Sequence, residues 1–102
     1  MNIIIDDFFT LKSLAEQIRA RGPIEMTRVF SSIRNGGEVS NYETGEMLQL
    51  DSFQALILRA IAIREHKICV FGPGVKRAEA LGCTIGTLNE KHNYADVYLP
   101  RG

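Results

Sequence analysis

Apolar residues recur at helical spacing through residues 10–34. Leu11, Leu14, Ala15 and Ile18 fall at i, i+3, i+4 and i+7, and Met26, Val29, Phe30 and Ile33 repeat the pattern, so each segment presents one apolar face. Gly22-Pro23 separates them, with Pro23 suited to a first helical position where its missing N–H is not needed. Asn35-Gly36-Gly37 stops the second segment. The spacing therefore predicts a helical hairpin over 10–34. Ahead of it, residues 3–5 read as a short buried strand. Behind it, 39–42 and 47–50 read as the arms of a β-hairpin turning at Glu43-Thr44-Gly45.

The run from Phe53 to Ile63 is apolar except for Gln54 and Arg59 and too long for a typical buried strand, which predicts a central helix over 52–66. Asp51 and Ser52 offer side-chain oxygens to its first amides. Steps of about 100° per residue put Phe53, Leu56, Ile57, Ala60, Ile61 and Ile63 on a broad inner face and Ala55, Arg59 and Ala62 in a narrow outer window. Each large side chain buried there contributes about 1.5–3 kcal/mol. Next come a buried strand over 68–71, a helix over 75–81 with Val75, Ala78 and Leu81 inward, a strand over 84–88, and a final edge strand over 97–99. This order predicts an α+β domain spanning 1–102: a small mixed or antiparallel sheet packed on the central apolar helix, with the helical hairpin at the N-terminus.

Charge and cysteine usage narrow the functional classes. Twelve basic and twelve acidic residues balance, which leaves no global field toward nucleic acid or an anionic membrane. The balance is uneven along the chain, because residues 38–51 carry Glu38, Glu43, Glu46 and Asp51 with no Lys or Arg. That acidic strip favours a protein partner. A spanning helix needs about 20 apolar residues, more than the 53–63 run supplies, so no membrane partner is expected. The start MNIIIDDFFT lacks a positive, long-apolar leader, and Cys69 in an apolar run and Cys83 after a glycine read as small buried thiols. Both features predict a cytoplasmic protein.

Four groups of residues are candidates for chemistry. Two helices followed by a hairpin have the order of a winged helix-turn-helix, in which Arg28, Ser31, Ser32, Arg34 and Asn35 would meet DNA, although Glu38, Glu43 and Glu46 on the supposed wing would face phosphates. Gly72-Pro73-Gly74 after a strand, with Lys76 following, has the form of a phosphate- or nucleotide-binding turn. It lacks a complete dinucleotide or P-loop pattern, and Pro73 removes one amide. His66, Cys69, Cys83 and His92 are the soft ligands in the chain, but they lack the close pairing of a zinc site, and no metal or other cofactor is expected. His92, Tyr94, Asp96 and Tyr98 alternate, so an extended segment would place them on one face, where tyrosines give contact area at low entropic cost.

No carboxylate pair, nucleophile triad or complete nucleotide loop supports catalysis. The expectation is a small non-enzymatic regulatory or inhibitory protein that binds another protein through Glu38, Glu43 and Glu46 on the hairpin and His92, Tyr94 and Tyr98 near the C-terminus. The winged-helix DNA binder and the phosphate binder are the alternatives. A homodimer is also expected, with Ala55 and Ala62 forming the seam of the central helix.

Overall fold

The computed structural model describes residues 3–4 and 7–100, the first pair in backbone only. Ile5 of the first expected strand lies outside them. The chain is α+β, and its internal contacts divide it into two compact units, Met1–Ile63 and Arg64–Gly102.

The first unit contains β1 (Ile3–Ile4), α1 (Phe8–Ala20), α2 (Pro23–Ser32), β2 (Gly37–Ser40), β3 (Met47–Leu50) and α3 (Ser52–Ala62). Helix α1 begins two residues ahead of the expected start at residue 10 because Asp7 caps it. One Asp7 oxygen accepts the Phe9 N–H at 3.2 Å and the other accepts the Thr10 hydroxyl at 2.8 Å. These bonds, the Thr10 one foremost, hold the Asp7 carboxyl below its usual range. The expected helical hairpin is present as α1 and α2, and the expected β-hairpin as β2 and β3. The sheet order is β1-β3-β2, with β1 parallel and β2 antiparallel to β3, so that Ile3 and Val39 both lie opposite Leu48.

Helix α3 packs against α1 and touches β3, and Arg19 Nη1 of α1 donates to the Ala62 carbonyl at 2.7 Å. A reciprocal cap opens α3: the Asp51 side chain accepts the Gln54 N–H at 2.9 Å, and Gln54 Oε1 accepts the Asp51 N–H at 2.9 Å. The helix stops at Ala62, short of residue 66, because Arg64 adopts a left-handed conformation with φ 60°.

The faces of α3 differ from those expected. Gln54, Ala55, Ile57, Leu58, Ala60 and Ala62 are buried, whereas the solvent stripe is Ser52, Leu56, Arg59 and Ile63, at i, i+4, i+7 and i+11. Summed hydropathy favoured the larger side chains inside. The run is apolar nearly all round, so hydropathy alone does not fix which side faces inward, and Gln54, which folds back to Asp51, lies on the buried side. Ala55 and Ala62 are 5 % and 1 % exposed, so the dimer seam expected along them is not at the surface.

The second unit contains β4 (Lys67–Phe71), α4 (Gly72–Ala80), β5 (Thr84–Asn89) and β6 (Tyr94–Tyr98). Its sheet is antiparallel in the order β4-β6-β5. The last strand therefore lies at the centre, not the edge. Its backbone pairs on both sides, and Ala95 and Val97 are fully buried. Strand β4 alternates exposed and buried residues, which puts Ile68 and Val70 inside and Cys69 in solvent. Cys69 and Cys83 are both free thiols. Only Cys83 is buried, and burial pushes its thiol pKa up.

Candidate functional site

Helices α2 and α3 enclose an open groove of about 650 Å³. Pro23, Met26, Thr27, Phe30, Ser31 and Arg34 line it from α2 and the residues just after it. Ala55, Leu56, Arg59 and Ile63 line it from α3. At 1.5 Å per residue, the α2 side spans about 16 Å and the Leu56-to-Ile63 ridge about 10 Å, or two to three helical turns. Met26 and Phe30 are half-buried, and Leu56 and Ile63 are 37 % and 38 % exposed. The charged lining residues are Arg34 and Arg59, and no lining residue is acidic. The sequence pattern assigned Met26, Phe30, Leu56 and Ile63 to the core; the legible signal of a groove was that both helices carried more large apolar residues than one short sheet could cover.

The acidic hairpin is pinned to the helices. Tyr42 N–H donates to Gln17 Oε1 at 2.8 Å, the Tyr42 hydroxyl donates to Glu25 Oε2 at 2.9 Å, and the Arg21 guanidinium lies 4.1 Å from the Tyr42 ring centroid. Arg28 closes the cluster with two bonds to Glu25, at 2.7 and 2.8 Å. The Arg28 fork, and then the Tyr42 hydroxyl, lower the Glu25 pKa to about 2. Desolvation, and then the Glu25 bond, raise that of Tyr42. Glu38, Glu43 and Glu46 are exposed. The turn is ordered by its own side chains, since Asn41 Oδ1 accepts the Glu43 N–H and Thr44 Oγ1 accepts the Glu46 N–H.

This cluster carries a pH prediction. A carboxylate whose folded pKa lies below its unfolded value adds stability above the unfolded pKa and loses it as pH falls through the folded one. The Glu25 contribution is therefore intact above about pH 4.5, declines below it and is lost by about pH 2. In a carboxyl-detected NMR titration, Glu25 is expected to titrate near pH 2 and Tyr42→Phe to raise its midpoint. An ordinary glutamate midpoint in the unmodified protein would show that the cluster does not persist in solution.

The residues expected to meet DNA are dispersed in role. Arg28 is held by Glu25, and the Ser32 hydroxyl donates to the Val29 carbonyl at 2.8 Å. Ser31 and Arg34 line the groove. Arg34 and Asn35 are exposed but lie beyond the end of α2. In the glycine turn, the Gly72 N–H donates to the Asn93 carbonyl at 2.8 Å, and a Cβ at Gly72 would collide with the Asn93 side chain. Close packing thus explains this glycine, and its amide is not directed at an anion. Gly72 and Gly74 lie inside α4, and Lys76 is exposed on it.

Of the C-terminal residues, Tyr94, Asp96 and Tyr98 do share one face of β6. His92 stands in the preceding turn with its ring 6.2 Å from that of Tyr94 at an interplanar angle of 21°. The register adds Phe71, which lies opposite Tyr94 on β4. Phe71 closes an apolar run in the sequence, and only the pairing of β4 with β6 brings it to this face. Among the described residues, no group of three His, Cys, Asp or Glu side chains could hold a metal ion, and no helix is long and apolar enough to cross a membrane. Comparison with protein-family models, curated proteins and solved structures gave no match.

Proposed function

We propose that this chain is a non-enzymatic regulatory protein that binds another protein by seating an amphipathic helix with acidic flanks in the α2/α3 groove. The observation that carries this reading is the lining itself: Met26, Phe30, Leu56 and Ile63 line the groove together with Arg34 and Arg59, and no carboxylate lines it. A groove two to three turns long, with apolar ridges on both sides, suits the i, i+4, i+7 anchors of a helix. Arg34 selects a carboxylate beside those anchors and opposes a basic helix. The hairpin contributes less to this reading, because Tyr42, just before its turn, is held against α1 and α2. Two free thiols suit a cytoplasmic setting.

Two labelled peptides test it, with the same apolar positions and either Glu or Lys on the flanks. The Glu peptide is expected to bind with a Kd in the micromolar range, at least about tenfold tighter than the Lys peptide, which corresponds to about 1.4 kcal/mol. Leu56→Asp should abolish binding and Arg34→Glu should reverse the preference. Equal binding of both peptides, or unchanged binding by Leu56→Asp, rejects the groove as the site. Salt-dependent binding of duplex DNA that Arg34→Ala weakens would favour the helix-turn-helix reading instead.

A further inference from the structure

The open face of the β4-β6-β5 sheet carries a different chemistry. Antiparallel register places Phe71 opposite Tyr94, Cys69 opposite Asp96, and Lys67 opposite Tyr98, while Asn89 and Thr84 of β5 flank the two tyrosines. Side chains alternate along strands, so these residues share the face opposite the buried Ile68, Val70, Ala95 and Val97. Phe71 is 70 % exposed and Tyr98 44 %.

Both tyrosine rings are positioned by their surroundings. Asn89 Nδ2 donates to the Tyr94 hydroxyl at 3.2 Å, and the His92 ring lies nearly parallel to that of Tyr94. A Cβ at Gly86 would come within 2.7 Å of Tyr98 Cε2. Glycine at this position lets the Tyr98 ring lie along the sheet.

The composition of the face distinguishes its occupant. Here rings alternate with Lys67, Asp96, Thr84 and Asn89. Cations stand near both ends, Lys67 beside Tyr98 and Lys91 in the turn before Tyr94. Flat bases stack on exposed rings whatever their identity, and phosphates meet the lysines at the ends. Asp96 can accept hydrogen bonds from exocyclic base amines and repels phosphate from the centre. Duplex bases are already stacked inside a helix and cannot reach the rings.

We infer that this face binds single-stranded nucleic acid, with bases stacked on Phe71, Tyr94 and Tyr98 and the backbone held by Lys67 and Lys91. The platform has room for two or three bases.

Labelled oligo-dT and oligo-rU of about fifteen nucleotides, with a duplex of equal length, test this by anisotropy at low salt. The chain has no tryptophan and three tyrosines, so stacking on two of them should also quench its intrinsic emission. Single strands are expected to bind at least about tenfold tighter than the duplex, and Phe71→Leu or Tyr94→Leu to weaken binding about 5- to 100-fold. Lys67→Gln should reduce the slope of log K against log salt by about 0.7. Phe71 is largely exposed, so Phe71→Leu should leave the far-ultraviolet spectrum unchanged. Absent binding of both strands, duplex binding of equal strength, or wild-type affinity in both Phe71→Leu and Lys67→Gln overturns the inference; equal duplex binding points to charge attraction alone, and wild-type affinity in both variants places the binding elsewhere.

Discussion

Ile57→Ala is expected to lower unfolding stability by about 2–5 kcal/mol. Ile57 is fully buried on α3, beside Leu58, which is also fully buried. Removing its outer carbons leaves a cavity in a helix that packs against α1, where Leu11, Leu14, Ala15 and Ile18 are all at most 1 % exposed. A unit of this size has little to lose, since stability scales as roughly 0.05–0.15 kcal/mol per residue. The substitution should therefore shift the urea midpoint strongly, or leave residues 1–63 largely unfolded in water. Leu56→Ala is the matched control, because Leu56 faces the groove. It should cost well under half as much while weakening any helix bound there. If the two substitutions destabilised equally, the assignment of Ile57 to the core and Leu56 to the groove would be wrong.

That contrast also shows what was legible in the sequence. The helices were readable from local patterns: the two amphipathic periods of 10–34 gave α1 and α2, and the length of the 53–63 run gave α3. Orientation was not, because a run that is apolar nearly all round has no single face that hydropathy selects. The exposed stripe keeps Arg59 but runs through Leu56 and Ile63 instead of Ala55 and Ala62, which places large apolar side chains where alanines were expected. It thereby replaced an expected dimer seam with a groove. Sheet order was illegible for a different reason. Residues 92–98 read as an alternating segment ending in an edge strand over 97–99, and nothing local says that β6 inserts between β4 and β5. That insertion assembles Phe71, Tyr94 and Tyr98 from two strands into one aromatic face. For Arg28 the signal was local and was overlooked: Glu25 lies three residues before it, a spacing at which opposite charges meet on a helix.

Gln54 gives the second large effect, and its sign differs between substitutions. A capping box accepts glutamate or glutamine at this position, so Gln54→Glu would be conservative on an exposed helix. Here the side chain is 1 % exposed, and its Nε2 has no hydrogen-bond partner among the described residues. A carboxylate there could still accept the Asp51 N–H, but its second oxygen would be desolvated, and burial raises a carboxyl pKa by up to several units. With about 1.4 kcal/mol per unit, Gln54→Glu is expected to cost about 2–4 kcal/mol at pH 7. The penalty should shrink as pH falls toward the unfolded value near 4, because the introduced carboxyl is then neutral in both states. Gln54→Leu acts oppositely on the orphaned group. It removes the buried Nε2, whose desolvation costs about 1–3 kcal/mol, and leaves only the Asp51 N–H, on an exposed residue that water can reach. It should therefore be neutral or stabilising by about 1 kcal/mol. Urea unfolding at pH 7 and pH 4 separates the two variants. A Gln54→Glu penalty independent of pH, or a Gln54→Leu loss as large as that of Ile57→Ala, would mean that Gln54 makes interactions beyond its cap.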